Sequence, residues 1–262
     1  MTSNARRGKR LGELLLQFGF VAALLGLWQW SSTAYPAPYL PPLDVVGSAY
    51  WSLLHGDLLT GQVAPSMYRL VVGFAIGVGL GAVVGLAIGY FRALDPWVRP
   101  VLEFLRAIPA AAVLPGAILL LGATDGMRIS IIAFGCTFPV LLAAIDGARR
   151  VDELMLDTAR ISGLSRPATL RRVVVPAAVP QLFAGVRIAL GLALIMMVIS
   201  ELIASNEGLG YHILMNQRLF RTADVYAGVL VIGTIGLLFN MAILQLEKRL
   251  LRWHRGWRGL PV

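Results

Sequence analysis

Charged residues are scarce in this chain. They make up 14% of its 262 residues, whereas hydrophobic residues make up 57%. An average soluble domain has about 25% charged residues and about 45–50% apolar ones. The apolar excess here is gathered into long runs, and a run of about 20 apolar residues is long enough to cross a bilayer as a helix. The composition argues against a soluble globular protein and predicts an all-α integral membrane protein.

Cysteine and metal-binding patterns are also scarce. Cys136 is the single cysteine, which excludes an internal disulfide and a cysteine-cluster metal site. The three histidines, His55, His212 and His254, lie far apart and form no HExxH pattern. The chain has no GxxxxGK(S/T) sequence, the loop that holds nucleotide phosphates. We therefore expect neither a metal nor a cofactor, and no ATP site in this chain.

Six apolar runs are predicted to be transmembrane helices within one domain of residues 1–262. A basic segment precedes the first run, as in a signal peptide, but the run is longer than a signal core and no small-x-small cleavage site follows. We therefore expect this span to be retained. Pro109 and Pro115 interrupt the third run, which predicts a kink. The predicted spans are residues 14–30, 70–91, 98–121, 129–148, 179–205 and 226–246.

Basic residues predict the orientation of these spans. The net charge of +9 is interpreted as topology rather than nucleic-acid binding, because most arginines lie between or beyond the apolar runs. Residues 31–66 contain no Lys or Arg. The positive-inside rule then places both termini, the loop near Asp95 and residues 149–172 in the cytoplasm. The inner basic residues are Arg6, Arg7, Lys9, Arg10, Arg149, Arg150, Arg160, Arg166, Arg171, Arg172, Lys248, Arg249, Arg252, Arg255 and Arg258, and the outer exceptions are Arg128, Arg218 and Arg221.

Glycine recurs every four residues in the second run. Glycine at this spacing lines one side of a helix and lets another backbone approach closely. We interpret this side as a packing face, which predicts a multi-helix bundle rather than separate membrane anchors. The glycines are Gly73, Gly77, Gly81, Gly85 and Gly89.

The segment between the fourth and fifth runs, residues 151–178, is long enough to be structured. Asp152 is predicted to cap a short amphipathic helix, and Gly163 is predicted to end it. Ser165 is predicted to cap a second short helix that ends at Pro176. Two alternatives are open for these helices. They lie on the bilayer surface, or they dock into a groove on a partner protein.

The same segment resembles the cytoplasmic EAA loop of ABC importer permeases. The resemblance rests on Asp157-Thr158-Ala159, Gly163 and Pro176, with Asp in place of the family's Glu and Thr in place of its first Ala. Four further stretches resemble the nitrate/sulfonate/taurine branch of these permeases. They are Leu40-Pro41-Pro42, Arg106-Ala107-Ile108-Pro109, Gly185-Val186-Arg187-Ile188-Ala189-Leu190-Gly191 and Gly208-Leu209-Gly210-Tyr211.

The resemblance implies the fold of a type I ABC importer permease, with six transmembrane helices and a cytoplasmic coupling loop. It implies a homodimer in the lipid of the bacterial inner membrane that carries a small solute such as a sulfonate or nitrate. An extracytoplasmic substrate-binding protein would deliver the solute, and the chain itself would not be an enzyme. Cytoplasmic ATPase subunits would bind the loop through Asp157, Thr158, Ala159, Gly163 and Pro176.

Four residues are candidates for the translocation pathway: Arg106, Pro109, Pro115 and Glu201. A charge within a span is a functional candidate by default, although Glu201 lies close enough to the outer end to be hydrated there. Arg106 and Arg187 lie near enough to the inner side to snorkel to the interface. The two prolines free backbone carbonyls, which is tolerated where a helix lines a cavity or moves.

Two other functions compete with ATP-driven transport. A membrane enzyme needs convergent acid, base or metal groups, and Glu201 stands without a histidine partner in its span. The alternative of an ion-coupled secondary transporter needs more intramembrane acids and usually an internal repeat of spans. The sequence shows no convincing repeat. Copurification with an ATPase distinguishes the importer from the secondary transporter.

Overall fold

The computed structural model describes the backbone of residues 3–251 and the side chains of residues 16–251, Gln17 and Asp95 excepted. This part of the chain is helical and contains no β-strand, so the all-α prediction is confirmed. The basic tail residues Arg252, Arg255 and Arg258 lie outside it. The helices are α1 Ser3–Ala34, α2 Leu43–Leu53, α3 Gly56–Tyr90, α4 Asp95–Ala107, α5 Ala110–Leu121, α6 Asp125–Arg149, α7 Glu153–Ile161, α8 Arg166–Ala204, α9 Leu209–Arg218 and α10 Thr222–Leu250.

Each of the six predicted apolar runs lies within helical structure. Four helices, α3, α6, α8 and α10, are long and apolar enough to cross a membrane, and α4 and α5 meet the same test only as a pair. Helix α1 covers the first run. The helices extend beyond the predicted limits, since α3 begins at Gly56 and α8 begins at Arg166. A protein with several apolar helices of this length is a multi-pass membrane protein.

The third run is a broken helix rather than a kinked one. Helices α4 and α5 meet at an angle of 84°. The break falls at Ile108, whose extended backbone, with φ −78° and ψ 117°, is the conformation that a following proline favours. Pro115 has no such effect, because it lies in the first turn of the α-helical part of α5, where a missing N–H costs nothing. Both prolines were predicted to interrupt this span, and only Pro109 does so.

The prediction that Pro176 ends a short helix is wrong, because α8 continues through Pro176 and Pro180. A proline inside a helix lacks its N–H, and its ring clashes with the carbonyl four residues earlier. A π-helical turn, Leu170–Val174, comes directly before this proline-containing stretch. Helix α3 repeats the arrangement, with the π-helical turn Leu59–Val63 ahead of Pro65. We infer that the wider turn makes room for the proline ring, so the helix continues.

The glycines of the second run form the predicted packing face of α3. All five are buried, and they lie against α6, which runs parallel to α3. A Cβ at Gly77 would lie 2.6 Å from the carbonyl oxygen of Ala133, and a Cβ at Gly85 would lie 2.5 Å from that of Leu141. The two backbones are therefore in direct contact from Gly73 to Gly89 of α3 and from Ile129 to Ala148 of α6, as in small-residue packing generally. We call this contact the glycine seam.

The turns between helices gather at two ends of the bundle. One end, called the α9 end, carries α2, α9 and the start of α6. The other, called the α7 end, carries α4, α7 and the last turn of α10. Near the α7 end, Arg187 donates to Glu247 at 2.5 Å and thereby joins α8 to α10. The expected reach of Arg187 toward the interface stays a prediction, and the sequence did not indicate its carboxylate partner on α10.

Replacing a glycine of the seam should separate α3 from α6. We expect Gly85→Ala to destabilise the protein by about 1–3 kcal/mol, because the new Cβ would meet backbone and side-chain atoms of α6 that have no room to yield. Gly79→Ala is the matched control, since a Cβ at Gly79 would meet nothing within 4 Å. Alanine is also the better helix former. Thermal unfolding in detergent measures the stability of both variants. Equal unfolding midpoints would contradict the role of the glycine seam in packing α3 on α6.

Candidate coupling surface and buried ion network

Helix α7 has the start and the end that the sequence predicts. The Asp152 carboxylate accepts a hydrogen bond from the Leu154 N–H at 3.0 Å and so caps the first turn. Gly163 follows the helix with φ +71°. Its N–H donates to the Arg160 carbonyl at 3.0 Å, and the Leu164 N–H reaches the carbonyl of Ala159, also at 3.0 Å. These two bonds form a Schellman motif, which needs a left-handed residue after the helix.

One face of α7 is anchored and the opposite face is bare. Ala159 is buried, and Leu156 packs against a small apolar cluster that includes Val151 and Val174. On the other side, Leu154 is 73% exposed and Ile161 is 88% exposed. An apolar face that the chain itself does not cover marks a site of contact with another molecule.

A cleft separates α7 from the bundle. Its volume is about 820 Å³, and it lies between α7 and the ends of α3 and α6. Two exposed ion pairs flank it, Arg92 with Glu153 at 3.5 Å and Arg160 with Asp157 at 2.7 Å. Because these groups are exposed, each pair adds little to stability. The charges are therefore available to reorganise when another molecule binds α7.

Glu201 lies at the centre of a buried ion network near the α9 end. Its carboxylate accepts hydrogen bonds from Arg69 Nη1 at 2.9 Å and from Ser66 Oγ at 2.8 Å. Arg69 also donates to Asp125 at 2.7 Å and to Glu207 at 2.7 Å. One arginine thus joins α3 to α6, to α8 and to the turn before α9. The alternative of a hydrated carboxylate is wrong, because Glu201 is 0% exposed.

The same carboxylate caps α9. The Gly210 N–H donates to Glu201 Oε2 at 2.9 Å, and the Leu209 N–H donates to Ser66 Oγ at 2.8 Å. The first N–H groups of a helix have no partner within it and are stabilised by negative charge. Gly208 has φ +107°, and a Cβ there would lie 2.5 Å from the Glu201 carboxyl group. The position before α9 is therefore restricted to glycine by both conformation and space.

The sequence pointed to Glu201 but not to its partners. Arg69 is 132 positions away, Asp125 is the first residue of α6, and Glu207 lies in a turn, positions that no periodic pattern marks. One signal was present. Arg69 directly precedes the second apolar run, on the side where basic residues are rare. A charge at such a position requires an acid at the same depth, and Glu201 is the acid that the fifth run provides.

The structure does not gather the four pathway candidates into one cluster. Arg106 is exposed at the end of α4, beside a groove of about 200 Å³. Pro109 and Pro115 are exposed on α5 and the turn before it. None of these three is among the partners of Glu201, which lies near the α9 end. Their role in a pathway stays a prediction.

Comparisons with known proteins give one consistent result. Residues 77–255 match the family described as binding-protein-dependent transport system inner membrane component. The chain is 31% identical to the putative aliphatic sulfonates transport permease protein SsuC of Bacillus subtilis, over 91% of this chain and 87% of that one. It is 35% identical to a probable ABC transporter permease protein of Brucella abortus, over 93% of this chain and 96% of that one.

The fold has a match among solved structures. A chain of the MetNI methionine ABC transporter, in inward-facing conformations, superposes with a TM-score of 0.64 and 17% identity. The superposition covers 74% of this chain and 95% of that chain. At this identity the likeness concerns the fold alone.

Breaking the buried ion pair should destabilise the protein far more than breaking the exposed one. We expect Arg69→Met to destabilise the protein by about 3–5 kcal/mol, because the Glu201 carboxylate would stay buried without a cation. The same change in the exposed pair, Arg160→Met, should cost less than about 1 kcal/mol. Adding Glu201→Leu to Arg69→Met should restore part of the loss. Unfolding curves in detergent measure all three, and equal losses for the two single variants would contradict the prediction.

Proposed function

This chain belongs to the family of binding-protein-dependent transport system inner membrane components, and we propose that two copies of it form the path of an importer for a small solute such as a sulfonate. As a permease subunit of an ABC importer it moves solute and is not an enzyme, and a separate subunit hydrolyses ATP. Its partners are accordingly an ATPase and a substrate-binding protein. This membership leaves no support for the alternative of an ion-coupled secondary transporter.

The observation that carries the proposal is the bare apolar face of α7. ATP energy reaches a permease only through contact with the subunit that hydrolyses ATP. On the described part of the α7 end, Leu154 and Ile161 offer an apolar face on a helix that projects from the bundle. Helix-in-groove docking uses such a face, with apolar anchors at i, i+3, i+4 or i+7 spacing. We therefore assign α7 as the helix that the ATPase binds.

The five predicted coupling residues support this assignment in different ways. Ala159 is buried against the bundle, which fixes α7 to the core that must move. Gly163 sets the direction of the chain after α7. Asp157 holds Arg160 at the exposed surface, ready for exchange with charges on the ATPase. Thr158 donates to the Leu154 carbonyl at 2.7 Å. Pro176 lies in the first turns of α8, where movement of α7 would first reach the spans.

The proposals for the solute and for its path rest on fewer observations than the assignment of α7. The name of the Bacillus subtilis relative supports a sulfonate or a related small solute. Interrupted helices occur at membrane depth where they line a cavity. We therefore propose that Arg106, Pro109 and Pro115, which surround the break between α4 and α5, face the path. Glu201 would shape the outer mouth by holding α9, without touching solute in the state described.

The orientation in the membrane and the number of copies complete the proposal. The basic residues gather at the α7 end, which supports both termini, α4 and α7 on the cytoplasmic side and the α9 end outside. One chain offers a single α7 among its described residues. We propose that a second copy supplies the other half of the path and a second α7.

Variants of α7 should separate membrane insertion from transport. We expect Gly163→Val to abolish uptake and weaken ATPase binding, because a β-branched residue opposes φ +71°. Gly163→Asn is the matched control, since asparagine tolerates the left-handed region and no atom would obstruct a side chain there. Asp157→Arg should also abolish uptake, through repulsion of Arg160. Solute uptake and copurification of the ATPase are measured at equal membrane abundance.

The outcome that contradicts this assignment is clear. If Gly163→Val and Asp157→Arg transported at the wild-type rate with the ATPase bound, α7 would not be the coupling element. If Gly163→Asn failed as completely as Gly163→Val, side-chain bulk rather than backbone conformation would be responsible.

Orientation and copy number can be read from cysteine variants, because the native Cys136 is buried. Tyr39→Cys lies at the α9 end and Trp97→Cys at the α7 end, and both parent side chains are more than 70% exposed. A membrane-impermeant maleimide added to intact spheroplasts should label Tyr39→Cys alone. Cross-linking of the assembled importer should join two identical chains. Labelling of Trp97→Cys from outside would reverse the orientation, and a different permease chain as cross-linked partner would exclude the homodimer.

A further inference from the structure

The turn after α9 places an aromatic residue in a conformation that glycine normally fills. Phe220 has φ +55° and is the single non-glycine residue with positive φ in the part of the chain that the structure describes. Its N–H donates to the Gln217 carbonyl at 3.2 Å, and the Arg221 N–H donates to the Asn216 carbonyl at 2.9 Å. These bonds are those of the Schellman motif that Gly163 forms after α7. Here the left-handed position carries a large side chain.

The Phe220 side chain packs little against the described part of the chain. Phe220 is 84% exposed, and the adjacent Leu219 is 57% exposed. Four other positions with positive φ are glycine, namely Gly56, Gly122, Gly163 and Gly208. Strained backbone persists where the surrounding structure holds it, and such positions cluster at functional sites. The strain at Phe220 directs an apolar ring away from the fold.

The tip, defined as residues 218–221, lies outside the hydrocarbon of the membrane. Helix α10 has 29 residues, a length of about 43 Å at about 1.5 Å per residue. The hydrocarbon core is about 30 Å thick. Basic residues Lys248 and Arg249 end the helix at the opposite side, and Asp224 lies in its first turn. A span counted back from Lys248 therefore leaves Phe220 beyond the hydrocarbon core.

The tip is held rigidly. Glu201 and Ser66 cap the start of α9, as described above. A Cβ at Gly228 of α10 would lie 2.7 Å from Ile213, so α9 packs closely on α10. Asn216, which is buried, donates to the His212 carbonyl at 2.9 Å. A surface element that is already fixed loses little entropy on binding.

We propose that the tip is a docking element for the substrate-binding protein, with Phe220 inserting into an apolar pocket and Arg218 and Arg221 meeting acidic groups at its rim. The inference rests on the proposed orientation, in which the α9 end faces outward. Both arginines are exposed on either side of the apolar pair. A tip-to-tip contact between two copies would bring these like charges together, which disfavours a second copy as the occupant. Aromatic and arginine residues are those that dominate binding energy at protein interfaces.

The test uses the complete importer in nanodiscs and its own purified substrate-binding protein. Phe220→Gly removes the ring and the strain together, so thermal stability should stay unchanged or rise. The Kd for the binding protein should nevertheless increase about tenfold or more, with a parallel loss of its stimulation of ATP hydrolysis. Tyr39→Ala is the matched control, an exposed aromatic at the same end, 74% exposed, and should change neither. Arg218→Glu with Arg221→Glu should slow association and weaken its dependence on salt.

Each contrary result has a defined meaning. An unchanged Kd for Phe220→Gly would overturn the docking role while leaving the importer function intact. Phe220→Trp with fluorescence quenched by lipid-attached quenchers would place the tip in the membrane, and loss of the dimer in Phe220→Gly would place it between copies. Both results also overturn the inference. If the wild-type importer bound no substrate-binding protein at all, the proposed function itself would fail.

Discussion

Direct contact between the backbones of α3 and α6 sets the arrangement of the bundle. Five glycines leave one side of α3 without side chains, and the main chain of α6 occupies that space. Helices in lipid gain little from the hydrophobic effect between them, so close packing of this kind contributes much of their association. Gly185 of α8 repeats the device against Pro139 and Ala143 of α6. Helix α6 is therefore the central element, in contact with α3 on one side and α8 on the other.

Because the seam runs along most of α6 and the second half of α3, it determines which residues meet at each end. At one end it brings Arg69 of α3 beside Asp125 of α6, and α8 adds Glu201 to the same arginine. At the other end it brings Gly89 against Ala148, next to the apolar cluster on which α7 rests. The anchor of α7 and the cap of α9 thus belong to the same three helices. A displacement of α7 acts on helices that also hold the turn before α9.

The two ends of the bundle differ in whether their ion pairs are buried or exposed. At the α9 end, one buried arginine satisfies three carboxylates and fixes the turn before α9. Buried pairs of this kind are costly to break, because the remaining charge cannot return to water. At the α7 end, the pairs Arg92–Glu153 and Asp157–Arg160 are exposed and exchange partners easily. A fixed turn at the α9 end and an adaptable surface at the α7 end are consistent with a permease that is driven through α7.

The sequence by itself determined the local features: the apolar runs, the glycine side of α3, the Asp152 cap, the Gly163 turn and the break at Pro109. Each depends on residues within a few turns, where conformational preference and period decide the outcome. Only the tertiary structure decided the rest. Glu201 meets an arginine 132 positions away, the apolar side of α7 is bare, and α8 passes through Pro176 by way of a π-helical turn. Phe220 adopts a left-handed conformation because helices on either side of it are already fixed, which no local preference for phenylalanine would predict.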